Sequence, residues 1–233
     1  VTALARRVLV AGATGELGRA VSRQLVERGD RVVLVARDEA KLDALRSALD
    51  AGAEVSVVAA ELASSGGPAE VARRSLENGP VNDLVWCAGP FRREPLESVS
   101  RASMEELFLV HAIAPVLLIR ELKESLATAG GAVVALSDAG VERPFPNHAA
   151  YLAAKGAMDA AMRAIATELA PAVRVNVLRV GVVTDPSGHE QARAQRLAAR
   201  SLSGRMGEPA EVARVVVSLL RIGWIAGQAW TVG

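Results

Sequence analysis

Tyr151 and Lys155 are the pair of residues whose chemistry and spacing are most informative. Tyr151 is the only tyrosine of the chain, and Lys155, one of three lysines, follows it four residues later. On a helix this spacing places both side chains on one face. Because an ammonium group favours the phenolate form, we expect Lys155 to lower the pKa of Tyr151 from its ordinary value of about 10. Such a pair can exchange a proton with an alkoxide or a carbonyl oxygen.

Ser137 is a further candidate for the same site. It directly follows the apolar run 132–136, which is typical of a buried strand. The carboxyl ends of the strands form the ligand site in open α/β sheets, so we expect Ser137 to hydrogen-bond the same substrate oxygen. Each of the three residues alone has a simpler explanation, as a core edge, a surface charge or a turn residue. Together with the glycine-rich turn below, they favour a catalytic site.

A glycine-rich turn separates the first apolar run from the first helical pattern. Gly12, Gly15 and Gly18 form it, with Thr14 and Leu17 between them. Glycine permits a sharp turn and the close approach of a pyrophosphate, and the following helix offers backbone N–H donors. The glycine spacing alone is weak evidence, since glycines also end strands for geometric reasons. A strand before the turn and a helix after it favour dinucleotide binding over a purely structural turn.

Arg37 indicates which dinucleotide is preferred. An acidic residue at the end of the second strand would accept hydrogen bonds from a free ribose 2′-hydroxyl. Here the strand ends at Ala36 and Arg37 follows. A guanidinium matches a phosphate with forked donors, so NADP(H) is favoured over NAD(H). We expect the adjacent Asp38 to cap the helix that begins near Glu39.

The elements that must position these residues alternate regularly along the chain. Short β-branched runs predict strands at 8–11, 31–36, 54–58, 83–87, 132–136, 173–178 and 228–232. Helices are predicted at 15–28, 39–49, 69–77, 104–126, 149–169 and 209–220. Parallel neighbouring strands need crossovers of about a dozen residues or more. The order therefore predicts a Rossmann-type, doubly wound parallel α/β sheet of about seven strands with helices on both faces, in a single domain spanning 1–233.

Composition and charge disfavour several other classes of protein. Hydrophobic residues make up 51% of the 233 residues and charged residues 23%, as in a soluble globular domain. Bases (27) and acids (26) nearly cancel, so we expect no nucleic-acid or membrane partner. The lack of about 18 consecutive apolar residues and of a signal-peptide pattern predicts a cytoplasmic protein. A single cysteine, Cys87, and three histidines disfavour disulfides and a metal site.

Taken together, these motifs resemble the short-chain dehydrogenase/reductase family nearly from end to end, including the segments 204–209 and 227–233. The resemblance implies that Tyr151 donates or accepts the proton and that Lys155 also binds the nicotinamide ribose. It implies that Ser137 holds the substrate oxygen during hydride transfer. The further cofactor contacts that it implies are Glu61 and Leu62 beside adenine, Ala88 and Gly89 beneath a ribose, Val182 and Thr184 at the carboxamide, and the neighbouring Gly181.

The sequence departs from the family pattern at several positions. The middle glycine of the turn is displaced by one residue, residues 86–89 lack the usual two asparagines, and Asp138 follows the serine. His111 stands where the family has an asparagine that helps to hold a proton-relay water. A histidine can relay a proton through its two nitrogens, and its ordinary pKa lies in the physiological range. A silent histidine inside a helix is an equally open interpretation.

The expected activity is that of an NADP(H)-dependent oxidoreductase. It would transfer hydride between the nicotinamide and a carbonyl or secondary alcohol of a small or carrier-linked molecule, with Tyr151 as general acid or base. Reduction is favoured because cells generally keep NADPH reduced. One alternative is an NADP(H)-binding regulator or scaffold with little turnover, suggested by His111 and the irregular glycine turn. Another is a dehydratase or epimerase that uses the same tyrosine.

Three loops are expected to contact the substrate: 90–93, 141–148 and 184–205. The last of these is open to two interpretations, a mobile flap over the site or a solvated basic helix. The apolar faces of the predicted helices 104–126 and 149–169 exceed what a sheet must cover. These excess apolar faces predict that subunits pair through the two helices, as a homodimer or homotetramer.

Overall fold

A seven-stranded parallel sheet forms the centre of the computed structural model, which describes residues 5–49, 52–183, 198 and 201–233. The strands are β1 (Arg7–Ala11), β2 (Arg31–Ala36), β3 (Val55–Ala59), β4 (Asp83–Trp86), β5 (Ala132–Asp138), β6 (Arg174–Val180) and β7 (Ala229–Val232). Their order across the sheet is β3-β2-β1-β4-β5-β6-β7, and every neighbouring pair is parallel. The chain therefore reverses its direction across the sheet between β1 and β4. This confirms the predicted doubly wound α/β fold.

Helices cover both faces of the sheet. They are α1 (Glu16–Glu27), α2 (Glu39–Ala48), α3 (Gly67–Leu76), α4 (Arg101–Phe108), α5 (Ala114–Thr128), α6 (Ala149–Leu169) and α7 (Pro209–Arg221). Buried residues of α1, α2 and α7, such as Leu25, Leu42 and Val216, share one core with the sheet. Those of α3, α5 and α6 pack on the opposite face. Burial of apolar surface in two layers holds the strand ends in fixed relative positions.

The predicted helix 104–126 is longer and less regular than expected. It begins at Arg101, because Ser100 and Ser103 cap one another's backbone N–H groups. Between α4 and α5 the backbone forms a π-helical segment, Leu109–Ile113, in which His111 lies. A π-turn inserts an extra residue into the helical ladder and is frequent at functional sites. Hydrophobic periodicity does not register such a local insertion, so the prediction of one regular helix is wrong here.

The continuous helix from Arg101 to Thr128 is, by length and composition alone, long and apolar enough to cross a membrane. Its Leu118, Leu122 and Leu126 are fully buried in the core against the sheet. A core helix therefore accounts for its hydropathy. Three other apolar side chains of this helix, Met104, Leu109 and Ile113, are exposed. Whether they pair subunits stays a prediction.

Candidate active site

The glycine-rich turn lies where β1 and β4 end side by side. Gly12 has a φ of +83°, and a Cβ there would lie 2.7 Å from the Cα of Ala88. A Cβ on Gly18 would overlap the carbonyl oxygen of Gly12. Both glycines therefore allow α1 to pack closely on the ends of these strands. A Cβ on Gly15 would have only the Gly12 carbonyl oxygen nearby, at 3.4 Å.

The amino end of α1 fits the pyrophosphate of a dinucleotide. Gly15 is its N-cap residue, and no side chain caps the helix there. The turn is braced by Arg19, whose Nε donates to the carbonyl oxygen of Thr14 at 2.8 Å, and Leu17 lies in the first turn of α1. The helix end directs backbone N–H donors and a partial positive charge towards the crevice between β1 and β4, where the strand order reverses.

The residues predicted to bind adenosine come together at the neighbouring ends of β2 and β3. Arg37 is largely exposed and forms a 3.5 Å ion pair with Glu61, and Leu62 beside it is buried. Asp38 accepts a hydrogen bond from the backbone N–H of Lys41, which also holds the pKa of its carboxyl below the ordinary value. This confirms the predicted cap, so Asp38 is accounted for by the start of α2.

The remaining cofactor candidates occupy the ends of β4 and β6. Gly89 has a φ of +125°, and a Cβ on it would overlap the imidazole of His111. Gly181 donates to the carbonyl oxygen of Val232, and Val182 beside it is partly exposed. Thr184 and most of the predicted flap 184–205 lie outside the described residues.

Ser137, Tyr151 and Lys155 meet at the carboxyl end of β5. Lys155 Nζ donates to the carbonyl oxygen of Leu136 at 2.8 Å and lies 5.9 Å from the centroid of the Tyr151 ring. The three residues are 5%, 5% and 7% exposed, respectively. The predicted shared face of Tyr151 and Lys155 on α6 is confirmed. Ser137 Oγ is buried and has no hydrogen-bond partner among the described residues.

The phenol of Tyr151 has a partner that the sequence patterns did not indicate. Its hydroxyl donates to Asp138 Oδ2 at 3.0 Å. Burial and this carboxylate raise the pKa of Tyr151 above its ordinary value. The prediction that Lys155 lowers this pKa is therefore wrong for this structure, because a carboxylate contacts the phenol oxygen while the ammonium binds the Leu136 carbonyl. The only feature of the sequence that pointed to this contact was the position of Asp138, directly after Ser137.

His111 lies within the site but does not titrate in the physiological range. It is fully buried, and burial together with the charge of Lys155 lowers its pKa to about 3. Its Nε2 lies 3.1 Å from the carbonyl oxygen of Pro90, and a carbonyl can only accept, so Nε2 carries the proton. Its Nδ1 is consequently a buried acceptor, without a partner among the described residues. A relay through His111 stays a prediction.

Aromatic rings from two of the predicted substrate loops surround Tyr151. Its ring centroid lies 5.1 Å from that of Phe91 and 6.4 Å from that of His148. Phe145 packs against His148 at 4.6 Å. The two loops are joined by a hydrogen bond from the Glu94 backbone N–H to the Asn147 carbonyl. They form an apolar wall beside the phenol.

This combination of a doubly wound sheet, a glycine cradle and a buried Tyr–Lys pair defines a nucleotide-dependent oxidoreductase class, and comparisons with known proteins agree. A family model described as enoyl-(acyl carrier protein) reductase matches residues 12–232. L-xylulose reductase of Bos taurus is 30% identical over 223 residues, which cover 92% of this chain and 88% of that protein. The chain belongs to the short-chain dehydrogenase/reductase family.

Solved structures show the same fold. A short-chain dehydrogenase/reductase from Brucella melitensis superimposes with a TM-score of 0.91 at 26% identity, covering 97% of this chain and 94% of that one. L-sorbose reductase from Gluconobacter frateurii, solved with NADPH and L-sorbose, gives a TM-score of 0.90 at 23% identity, with 98% and 95% covered. Within the described part of the chain, no group of three or more His, Cys, Asp or Glu side chains is placed to hold a metal ion.

Replacing Lys155 with Met should change how stability depends on pH. Burial lowers the pKa of Lys155 from 10.5 to about 8, so between these values the unfolded chain binds one more proton than the folded one. The unfolding free energy of the wild type should therefore rise with pH relative to Lys155→Met. Relative to the variant, the unfolding free energy of the wild type should increase by about 3 kcal/mol between a pH below 8 and a pH above 10.5.

Urea unfolding of both proteins across this pH range measures the difference. The exposed Lys123→Met is the matched control and should show no such change relative to the wild type. A difference between Lys155→Met and the wild type that stays constant with pH would contradict the buried, destabilised ammonium.

Proposed function

We propose that this protein is an NADP(H)-dependent carbonyl reductase acting on a small molecule. The observation that carries this proposal is the buried Tyr151–Lys155 pair at the carboxyl end of β5, the strand in which Ser137 lies, next to the strand ends that form the glycine cradle. Membership of an oxidoreductase family and a relative named L-xylulose reductase support it. A bound nicotinamide would supply the hydride.

Tyr151 serves as the proton donor to the substrate oxygen. Its raised pKa keeps the phenol protonated throughout the physiological range, which is the state that a reduction requires. Oxidation of an alcohol would instead need the phenolate, which burial and Asp138 disfavour. Both effects leave the phenol in the protonated state from which a reduction starts.

Ser137 and Lys155 support the proton transfer in different ways, Ser137 at the substrate oxygen and Lys155 at the phenol. The Ser137 hydroxyl is buried without a protein partner among the described residues, so a substrate carbonyl would satisfy it. Lys155 brings a positive charge close to the Tyr151 ring, where negative charge develops when the phenol releases its proton. Its ammonium is also suited to hydrogen-bond the hydroxyls of a nicotinamide ribose.

A cofactor-binding regulator with little turnover is the second candidate, and the Tyr151–Asp138 hydrogen bond favours it. A phenol held by a carboxylate is a weaker acid, and His111 is neutral. Against it stands the complete set of Ser137, Tyr151 and Lys155, which a site without turnover does not need. A dehydratase or epimerase would use the same tyrosine, and the measurement of NADPH consumption below distinguishes it.

The Tyr151→Phe variant should lose carbonyl reduction while it retains NADPH binding. Removal of the hydroxyl deletes the proton donor but keeps the buried ring, so kcat should fall by about 100- to 10,000-fold. NADPH consumption against a panel of ketones measures the rate, and NADPH fluorescence measures binding. Equal rates in both proteins would remove Tyr151 from its role. Binding without consumption by the wild type would favour the regulator.

The Arg37→Ala variant tests the preference for NADP(H). The exposed guanidinium at the end of β2 would bind the 2′-phosphate, and one charge-assisted hydrogen-bonding pair accounts for a rise of about 10- to 100-fold in the Kd of NADPH. The Kd of NADH should change little. Arg73→Ala, which removes another exposed, ion-paired arginine, this one from α3, is the matched control. The same loss for both cofactors would contradict the assignment.

A further inference from the structure

Asp138 holds a fixed position beside the phenol. Its Oδ1 accepts a hydrogen bond from the Gly140 backbone N–H at 2.7 Å, within the short 3-10 turn Ala139–Val141. Its Oδ2 accepts the hydroxyl proton of Tyr151 at 3.0 Å. One oxygen is thus anchored to the backbone, and the other points at the group that must protonate the substrate. The carboxylate is therefore part of the wall that a substrate meets.

A substrate carbonyl competes with Asp138 for one proton. The phenol has a single O–H, so it must release Asp138 when it turns towards the carbonyl oxygen. An ionised carboxylate can only accept hydrogen bonds, and leaving Oδ2 half-buried without a donor is costly, although Oδ1 keeps its bond to Gly140. A hydroxyl on the carbon next to the carbonyl would replace the donor that Asp138 loses. The neighbouring positions of the Tyr151 and Asp138 oxygens, 3.0 Å apart, suit two oxygens on adjacent carbons.

Two more acceptors lie close to the same phenol. His148 is 6% exposed, and its Nδ1 must donate to the carbonyl oxygen of Pro146, 2.7 Å away, so its Nε2 is an acceptor. Nδ1 of His111 is an acceptor for the same reason. Neither nitrogen has a hydrogen-bond partner in the part of the chain that the structure describes. Both nitrogens are closed off from solvent, whereas Asp138 is only half-buried, so Asp138 is the acceptor beside the phenol that a ligand can reach.

Building on the proposed function, we infer that Asp138 makes this enzyme selective for hydroxylated ketones, in which a hydroxyl is adjacent to the carbonyl. The carbonyl oxygen takes the proton of Tyr151, and the adjacent hydroxyl donates to Asp138 Oδ2. A ketone with only C–H groups beside the carbonyl leaves Oδ2 of Asp138 without a donor when the phenol turns away.

Three small ketones separate the contribution of the hydroxyl from that of size. Hydroxyacetone carries the adjacent donor, butanone replaces the hydroxyl with a methyl group, and methoxyacetone keeps the oxygen but lacks the proton. With the wild-type holoenzyme and NADPH, kcat/KM for hydroxyacetone should exceed that for either other ketone by about 10- to 100-fold, the range expected for one hydrogen bond to a charged group.

The Asp138→Asn variant should reduce this preference to less than about threefold, because a carboxamide lacks the charge and presents a donor of its own. Its oxygen can still accept from Gly140, which preserves the turn. Glu70→Gln is the matched control. It removes an exposed carboxylate on α3 that pairs with Arg73, and it should keep the wild-type preference.

The outcomes distinguish this inference from the proposed function. Reduction of all three ketones at similar kcat/KM by the wild type would overturn the role of Asp138 and leave the reductase intact. A preference retained in Asp138→Asn would do the same. Absence of NADPH consumption with every ketone, in a wild type that binds NADPH, would overturn both. If Asp138→Asn fails to fold, the comparison of the three ketones in the wild type still tests the selectivity for hydroxylated ketones.

Discussion

The hydrogen bond from Tyr151 to Asp138 is the interaction on which the chemistry of this site depends. Together with burial, it raises the pKa of the only tyrosine, and it fixes the direction in which the phenol proton points. The sheet makes it possible, because β5 extends to Asp138 through pairing with β6 and ends facing the first turns of α6. The carboxylate is then held by the turn that follows. The end of β5 thus determines where the partner of the phenol lies.

Opposing charges share this strand end. Burial pushes Lys155 towards its neutral form and Tyr151 towards its protonated form, while Asp138 favours the charged form of Lys155 and opposes the phenolate. The phenol therefore keeps its proton until a substrate changes the surroundings. Around it, Ser137 Oγ and His111 Nδ1 are buried without partners among the described residues.

Much of the fold and part of the site could be predicted from the sequence. Alternating buried strands and amphipathic helices determine a parallel sheet, and helical spacing alone places Tyr151 and Lys155 together. The direction of the Tyr151 pKa could not be predicted, since consecutive strand residues point to opposite faces and Asp138 should face away from the side occupied by Ser137. In the structure Asp138, the last residue of β5, nevertheless accepts from the phenol and from the Gly140 backbone N–H. The π-helical segment around His111 likewise depends on local backbone geometry.

Absorbance titration of tyrosinate is the most direct test of this account, because Tyr151 gives the only such signal in the chain. It is carried out on the wild type and on Asp138→Asn, over the pH range in which circular dichroism shows both to be folded. We expect the wild-type phenol to ionise at higher pH than a free tyrosine, and Asp138→Asn to ionise at lower pH than the wild type. Identical titrations, or a wild-type phenol that ionises below the ordinary value, would contradict the account.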